Sequence, residues 1–162
     1  MSQESMQFHD RFLFTLDWLL AVTRRYSGHL RFGLVHISFA NPAVLGETFG
    51  AQGAAMKLDE ALSTLRTAFR RTDLVTRDGT DFWIVVPYTP TDGKLADKIR
   101  EILAVASQTE LTIVERDVSF FSLPFDTPEL NPDCSAAEFL TYLKKNHLRL
   151  ADHEISLTPE EQ

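Results

Sequence analysis

The spacing of hydrophobic positions changes several times along this chain, and each change marks an element. Between about Gln7 and Tyr26, the residues Phe8, Phe12, Leu16, Leu19, Leu20 and Val22 recur at intervals near three and four. That is the spacing of one buried helical face, and Ser27-Gly28 stops it. From Arg31 to Phe39 the chain reads as a strand, with Leu34, Val35 and Ile37 at its apolar centre and Asn41-Pro42 after it. A second helix is predicted from about Gln52 to Arg71, buried along Met56, Leu58, Leu62, Leu65 and Phe69. Two β-rich runs follow, Asp73 to Arg77 and Phe82 to Val86, with Asp78-Gly79-Thr80-Asp81 between them. This predicts a hairpin, because Asp-Gly tolerates the positive φ of a tight turn. Beyond Pro87-Tyr88-Thr89-Pro90, a third helix is predicted from Asp92 to Ser107, with Leu95, Ile99, Ile102 and Leu103 inward. A strand follows from Leu111 to Phe121, then a Pro-rich loop from Thr127 to Asp133. A last helix runs from Ser135 to Asn146, where Ser135 and Glu138 have the spacing of a capping box.

The predicted order is helix, strand, helix, strand, strand, helix, strand, helix. A hairpin set between helical crossovers implies one sheet with helices packed on it. We read residues 1–150 as one domain and 151–162 as an acidic C-terminal tail. Composition agrees: of 162 residues, 44% are hydrophobic and 24% charged, as in ordinary globular domains. Cys134 is the sole cysteine, which excludes an internal disulfide and a cysteine-based zinc site. The net charge of −7 argues against a DNA or RNA binder, whose affinity comes from neutralising phosphates with Lys and Arg. No apolar run is long enough to insert in a bilayer, and Met1 to Ser5 lacks the basic start of a signal peptide. The expected setting is the cytoplasm.

One stretch carries a more specific pattern. Arg70-Arg71-Thr72-Asp73-Leu74-Val75-Thr76-Arg77-Asp78-Gly79-Thr80-Asp81-Phe82-Trp83-Ile84-Val85-Val86-Pro87 resembles the signature region of GGDEF domains, the diguanylate cyclases. Such domains carry R-x-x-D, a hydrophobic strand, an Arg, the GGDEF turn, a second hydrophobic strand and a Pro. Phe49-Gly50-Ala51 is similar to the family's aromatic-Gly-His, without a gap to Arg70. The resemblance covers roughly Asp10 to Asn146. It implies an α/β (α+β) cyclase-like palm, with a central, mostly antiparallel sheet of about five strands flanked by helices.

Departures from that pattern bear on activity. The family's cyclase chemistry uses two metal-binding acids, because Mg²⁺ takes hard oxygen ligands and bridges substrate phosphates. In gapless alignment the first acid falls on Ser38, and the family's Lys and guanine-contacting Asn and Asp fall on Ala43, Gly46 and Ala55. The signature turn is one residue short. Aligned from the left it is Gly79-Thr80-Asp81-Phe82-Trp83, and from the right Asp78-Gly79-Thr80-Asp81-Phe82. In either alignment Asp81 is the one acid at an expected acidic position. The resemblance therefore implies a domain that is not an enzyme and holds no catalytic residue or metal at this place.

The family's R-x-x-D, five residues before the signature, is its inhibitory site for cyclic di-GMP. Arg70 and Asp73 hold those positions here. An Arg fork can donate to guanine O6 and N7, and a carboxylate can accept from guanine N1 and N2. Arg71 is placed for a phosphate contact, and Lys98 and Arg100 are candidates for the further cation that the family often supplies from the helix after the hairpin. About 0.8 R-x-x-D matches arise by chance in a chain of this composition. Arg149 and Asp152 form a second match, so the information lies in position. The same residues also read as cations at a helix end followed by a turn acid.

The remaining candidates point elsewhere. His9, His29, His36, His147 and His153 lack the spacing of a metal site. His36, on the first core strand, reads as a hydrogen-bonded edge or pocket residue. No G-x-S-x-G motif supports a serine nucleophile, and no basic neighbour in sequence activates Cys134. Trp83, Phe120, Phe121 and Phe125 read as core and sheet-face residues more readily than as a stacking platform. The first helix is apolar over a broad arc, including Phe12, Leu13, Phe14, Trp18, Leu19 and Leu20, which implies a protein partner or homodimer contact. Two readings follow. One is a catalytically inactive GGDEF-like signalling domain that serves as a cyclic di-GMP receptor, as degenerate relatives do in bacterial biofilm and motility control. The other is a nucleotide-independent protein-interaction or scaffold module.

Overall fold

The structure is a computed structural model. It describes residues 3–26, 30–39, 41–87, 97, 116–123, 130–131 and 133–157. The elements in chain order are α1 (Gln3–Arg25), β1 (Phe32–Phe39), α2 (Ala43–Ala68), β2 (Leu74–Asp78), β3 (Asp81–Val86), β4 (Arg116–Leu123), α3 (Ala136–Lys145), α4 (His147–Leu150) and β5 (His153–Leu157). The strands form one sheet in the order β2-β3-β1-β4-β5, and every neighbouring pair is antiparallel. This is the five-stranded α+β palm expected from the sequence.

Because side chains alternate along a strand, the sheet has two cores. Val35, Ile37, Phe82, Ile84, Val118 and Ile155 pack with Leu58, Leu62 and Leu65 of α2. Leu34, Trp83, Val85 and Phe121 pack on the other face with Phe12, Leu16 and Leu20 of α1 and Phe139, Leu140 and Leu143 of α3. Trp83, Phe120 and Phe121 are buried, as core residues should be. Phe125 lies outside the described residues.

Several boundaries differ from expectation. α2 begins at Ala43, nine residues before Gln52, and bends at Gly50, where φ is 73° and ψ is 165°. Only glycine visits that region readily. Met56 is 64% exposed, because it lies about 160° around the helix from Leu58. α2 ends at Ala68 because Phe69 is extended, so Arg70 and Arg71 lie past the helix and not in its last turn. The predicted helix from Asp92 to Ser107 falls outside the described residues, apart from a helical Asp97. The expected acidic tail from 151 is also revised, since His153–Leu157 forms β5 and pairs with β4. At α3 the capping box forms as predicted, and α1 adds to it: Asp17 Oδ1 accepts the Ala136 N–H at 2.7 Å. No helix among the described residues is long and apolar enough to cross a membrane.

Candidate functional site

The hairpin has two ends, and both carry residues singled out above. At its turn, Asp78 pairs with Asp81 across a two-residue loop, Gly79-Thr80. Gly79 has a φ of 60°. Arg77 holds this turn from below. It is 4% exposed, and its Nε donates to Gly79 O at 2.7 Å while a terminal nitrogen donates to Asp59 Oδ1 of α2 at 2.6 Å. Phe82 points into the α2 core. Asp78 is exposed, and Thr80 and Asp81 are half-buried.

Alternation along β1 places His36 and Ser38 on the α1/α3 face of the sheet. Register sets Trp83 beside His36 on one side and Ser119 on the other, with Asp117 beside Ser38. The His36 ring stacks on the Trp83 indole with centroids 4.1 Å apart. This aims Nε2 at Asp81 Oδ1, 2.9 Å away. An ionised carboxylate only accepts, so the imidazole donates its Nε2–H. Lys144, in the last turn of α3, donates from Nζ to Asp81 Oδ2 at 2.6 Å. Both oxygens of Asp81 are therefore engaged. Burial pushes its pKa up, but hydrogen bonds from His36 and Lys144, and their charge, outweigh burial and hold the carboxyl below its ordinary value.

These groups border a cavity of about 290 Å³ whose other lining includes Ser38, Thr80, Asp117, Ser119 and His147. Asp117 in this lining, and Glu154 beside it, are also paired. Ser156 donates to Asp117 Oδ1 at 3.0 Å, and Glu154 accepts from Ser119 at 3.2 Å and bonds the His147 ring. Among the described residues, no cluster of three or more His, Cys, Asp or Glu is disposed to hold a metal ion. Sequence reasoning placed Ser38, Asp81 and a hydrogen-bonded His36 here. It missed Lys144, Asp117, Ser119, His147 and Glu154, and no local pattern links them: Lys144 lies 63 positions from Asp81.

The other end of the hairpin is a turn. Asp73 Oδ2 accepts the Arg70 N–H at 3.1 Å, and the Asp73 N–H donates to Arg70 O at 2.9 Å. Arg70 and Arg71 are exposed and Asp73 is half-buried. Neither guanidinium makes an ion pair or hydrogen bond among the described residues, and Asp73 does not bridge to the Arg70 side chain. Lys98 and Arg100 lie outside the described residues.

No family model matches the sequence, and no curated relative matches it. The fold does have solved counterparts. It is similar to the GGDEF domain of YfiN (TpbB) from Pseudomonas aeruginosa, with a TM-score of 0.59 and 13% identity over 86% of each chain. The GGDEF domain of DgcB from Caulobacter crescentus, in complex with cyclic di-GMP, gives 0.58 at 14% identity, covering 85% of this chain and 80% of that one. A sensory box/GGDEF family protein from Caulobacter crescentus gives 0.55 at 10% identity, covering 85% and 88%. The five antiparallel strands, the flanking helices and the hairpin at one end of the sheet are thus those of a GGDEF-like fold.

Proposed function

We propose that this protein is a catalytically inactive GGDEF-fold signalling domain that binds cyclic di-GMP through Arg70, Arg71 and Asp73. The observation that carries the reading is the opposite state of the charges at the two ends of the hairpin. At the turn, Asp81 is neutralised from within the chain by Lys144 and His36. A pair of divalent cations needs several free carboxylate oxygens. The residues present fit such a pair poorly: Ser38 supplies a neutral hydroxyl, and Asp117 is already bonded to Ser156.

At the other end, Arg70 and Arg71 present guanidinium groups to solvent, and Asp73 keeps Oδ1 clear of the backbone bond that Oδ2 accepts. A guanine edge offers O6 and N7 to an Arg fork and N1–H and N2–H to a carboxylate. A bis-guanylate with two phosphates suits two adjacent arginines. The fold is shared with a GGDEF domain solved in complex with cyclic di-GMP. The resemblance assigns the further cation to Lys98 or Arg100.

Calorimetric titration with cyclic di-GMP tests the reading. Micromolar or tighter binding, worth about −8 kcal/mol, that disappears in Arg70→Ala is expected. So is an absence of product after incubation with GTP and Mg²⁺. Formation of cyclic di-GMP would overturn inactivity, and no heat or thermal shift at large ligand excess would overturn the receptor role. The second reading, a nucleotide-independent interaction module, then prevails. It is favoured by the exposed Phe14 and Trp18 of α1.

A further inference from the structure

α1 presents aromatic residues in two opposite directions. Phe12, Leu16 and Leu20 are buried in the core shared with α3 and the sheet. Phe14 and Trp18 are 75% and 61% exposed, and each lies about 160° around the helix from Leu16. They stand one turn apart and form an apolar strip on the solvent side, which distinguishes them from a single exposed aromatic. Charge along the helix is graded: Glu4 lies in the first turn and Arg24 and Arg25 in the last. Asp10 adds to the acidic end. Arg11 and Asp17 flank the strip, and Asp17 is committed to capping α3.

We infer that this strip pairs with the same strip of a second copy, the two α1 helices lying antiparallel about a two-fold axis near Leu16. An isologous contact must complement itself, and this one does. Phe14 of each copy meets Trp18 of the other, giving two aromatic pairs related by the axis. Arg25 faces Gln7 across the axis and has Asp10 about 4.5 Å further along the helix, within reach of a guanidinium. A parallel pair would set Arg24 and Arg25 against their own counterparts and Glu4 against Glu4. The charge gradient therefore selects the antiparallel arrangement. One helix face buries less than the about 800 Å² per partner of a standard stable interface, so the dimer is weak and concentration-dependent. This association needs no nucleotide and stands apart from the ligand-binding proposal.

Sedimentation equilibrium of the full chain from micromolar to near-millimolar concentration tests it. A monomer–dimer equilibrium is expected, with Phe14→Glu and Trp18→Glu monomeric throughout and unchanged in thermal unfolding. Arg25→Glu should weaken the dimer about tenfold, and adding Asp10→Arg should restore it. Orientation is read by oxidative cross-linking in a Cys134→Ser background. Gln7→Cys mixed with Arg25→Cys should cross-link, whereas Gln7→Cys alone should not, because its two copies lie about 27 Å apart along the axis. A monomer at every concentration, a dimer indifferent to Phe14→Glu, or cross-linking of Gln7→Cys to itself overturns the inference.

Discussion

The two ends of the β2–β3 hairpin differ in how their charges are satisfied. They are separated only by the five residues of β2, about 17 Å of strand. At the turn, Asp81 is met by groups from β1 and α3, and Arg77 is met by the turn carbonyl and by α2. At the opposite end, Asp73 holds only the backbone of Arg70 among the described residues, and the two arginines are exposed. Buried charge must find partners within the fold, because leaving it unpaired costs several kcal/mol. Exposed charge carries no such demand and stays available to a ligand. Burial therefore makes one end a structural joint and leaves the arginines of the other open to solvent.

Four substitutions and one pH series press on this contrast. Trp83→Ala should be the most damaging, because Trp83 is 1% exposed and supports the His36 ring. A loss of about 3–5 kcal/mol in urea unfolding is expected for a buried Trp, with Arg70 affected only through global unfolding. Asp81→Asn should cost about 1–3 kcal/mol near pH 7, since it removes an ionised acceptor from two hydrogen bonds. Lys144 is 44% exposed, so water recovers part of that loss.

Asp81 also sets a pH dependence. Its folded pKa lies below the ordinary value, so its contribution is complete above about pH 4 and is lost as pH falls through the depressed folded value. Urea midpoints of wild type should drop across that acid range, and Asp81→Asn should drop less steeply. An equal slope in both would remove Asp81 from the joint. Gly79→Ala should cost about 1 kcal/mol, because a φ of 60° is strained for a residue with a Cβ. Among the described residues nothing lies within 4 Å of that Cβ, so the cost is conformational and comes from no neighbouring side chain. The smallest stability effect should come from Arg70→Ala, within about 0.5 kcal/mol as for exposed sites. A stability loss comparable to that of Asp81→Asn would mean that the open end is a joint as well.

Parts of the fold are legible in the sequence because their causes are local. The β2–β3 turn follows from Asp78-Gly79, and the α3 start follows from Ser135 and Glu138. β5 was not legible: His153–Leu157 contains few apolar residues and reads as a tail, yet β4 offers it an edge. The early start of α2 was hidden by Gly46 and Gly50, which weaken a helical pattern. Gly50 in fact supplies a bend that lets one continuous segment change direction.

The candidate site divides in the same way. The chain itself determined the turn at Asp78-Gly79 and the strand that carries His36 and Ser38, because hydrophobic period and turn chemistry are properties of neighbouring residues. Tertiary structure alone decided which charges are satisfied. Lys144 reaches Asp81 across 63 positions and His36 reaches it across 45, and no periodicity encodes such distances. Pairing depends on which strand edge and helix end arrive at one place, and the burial that makes it compulsory exists only once the sheet and its helices have packed.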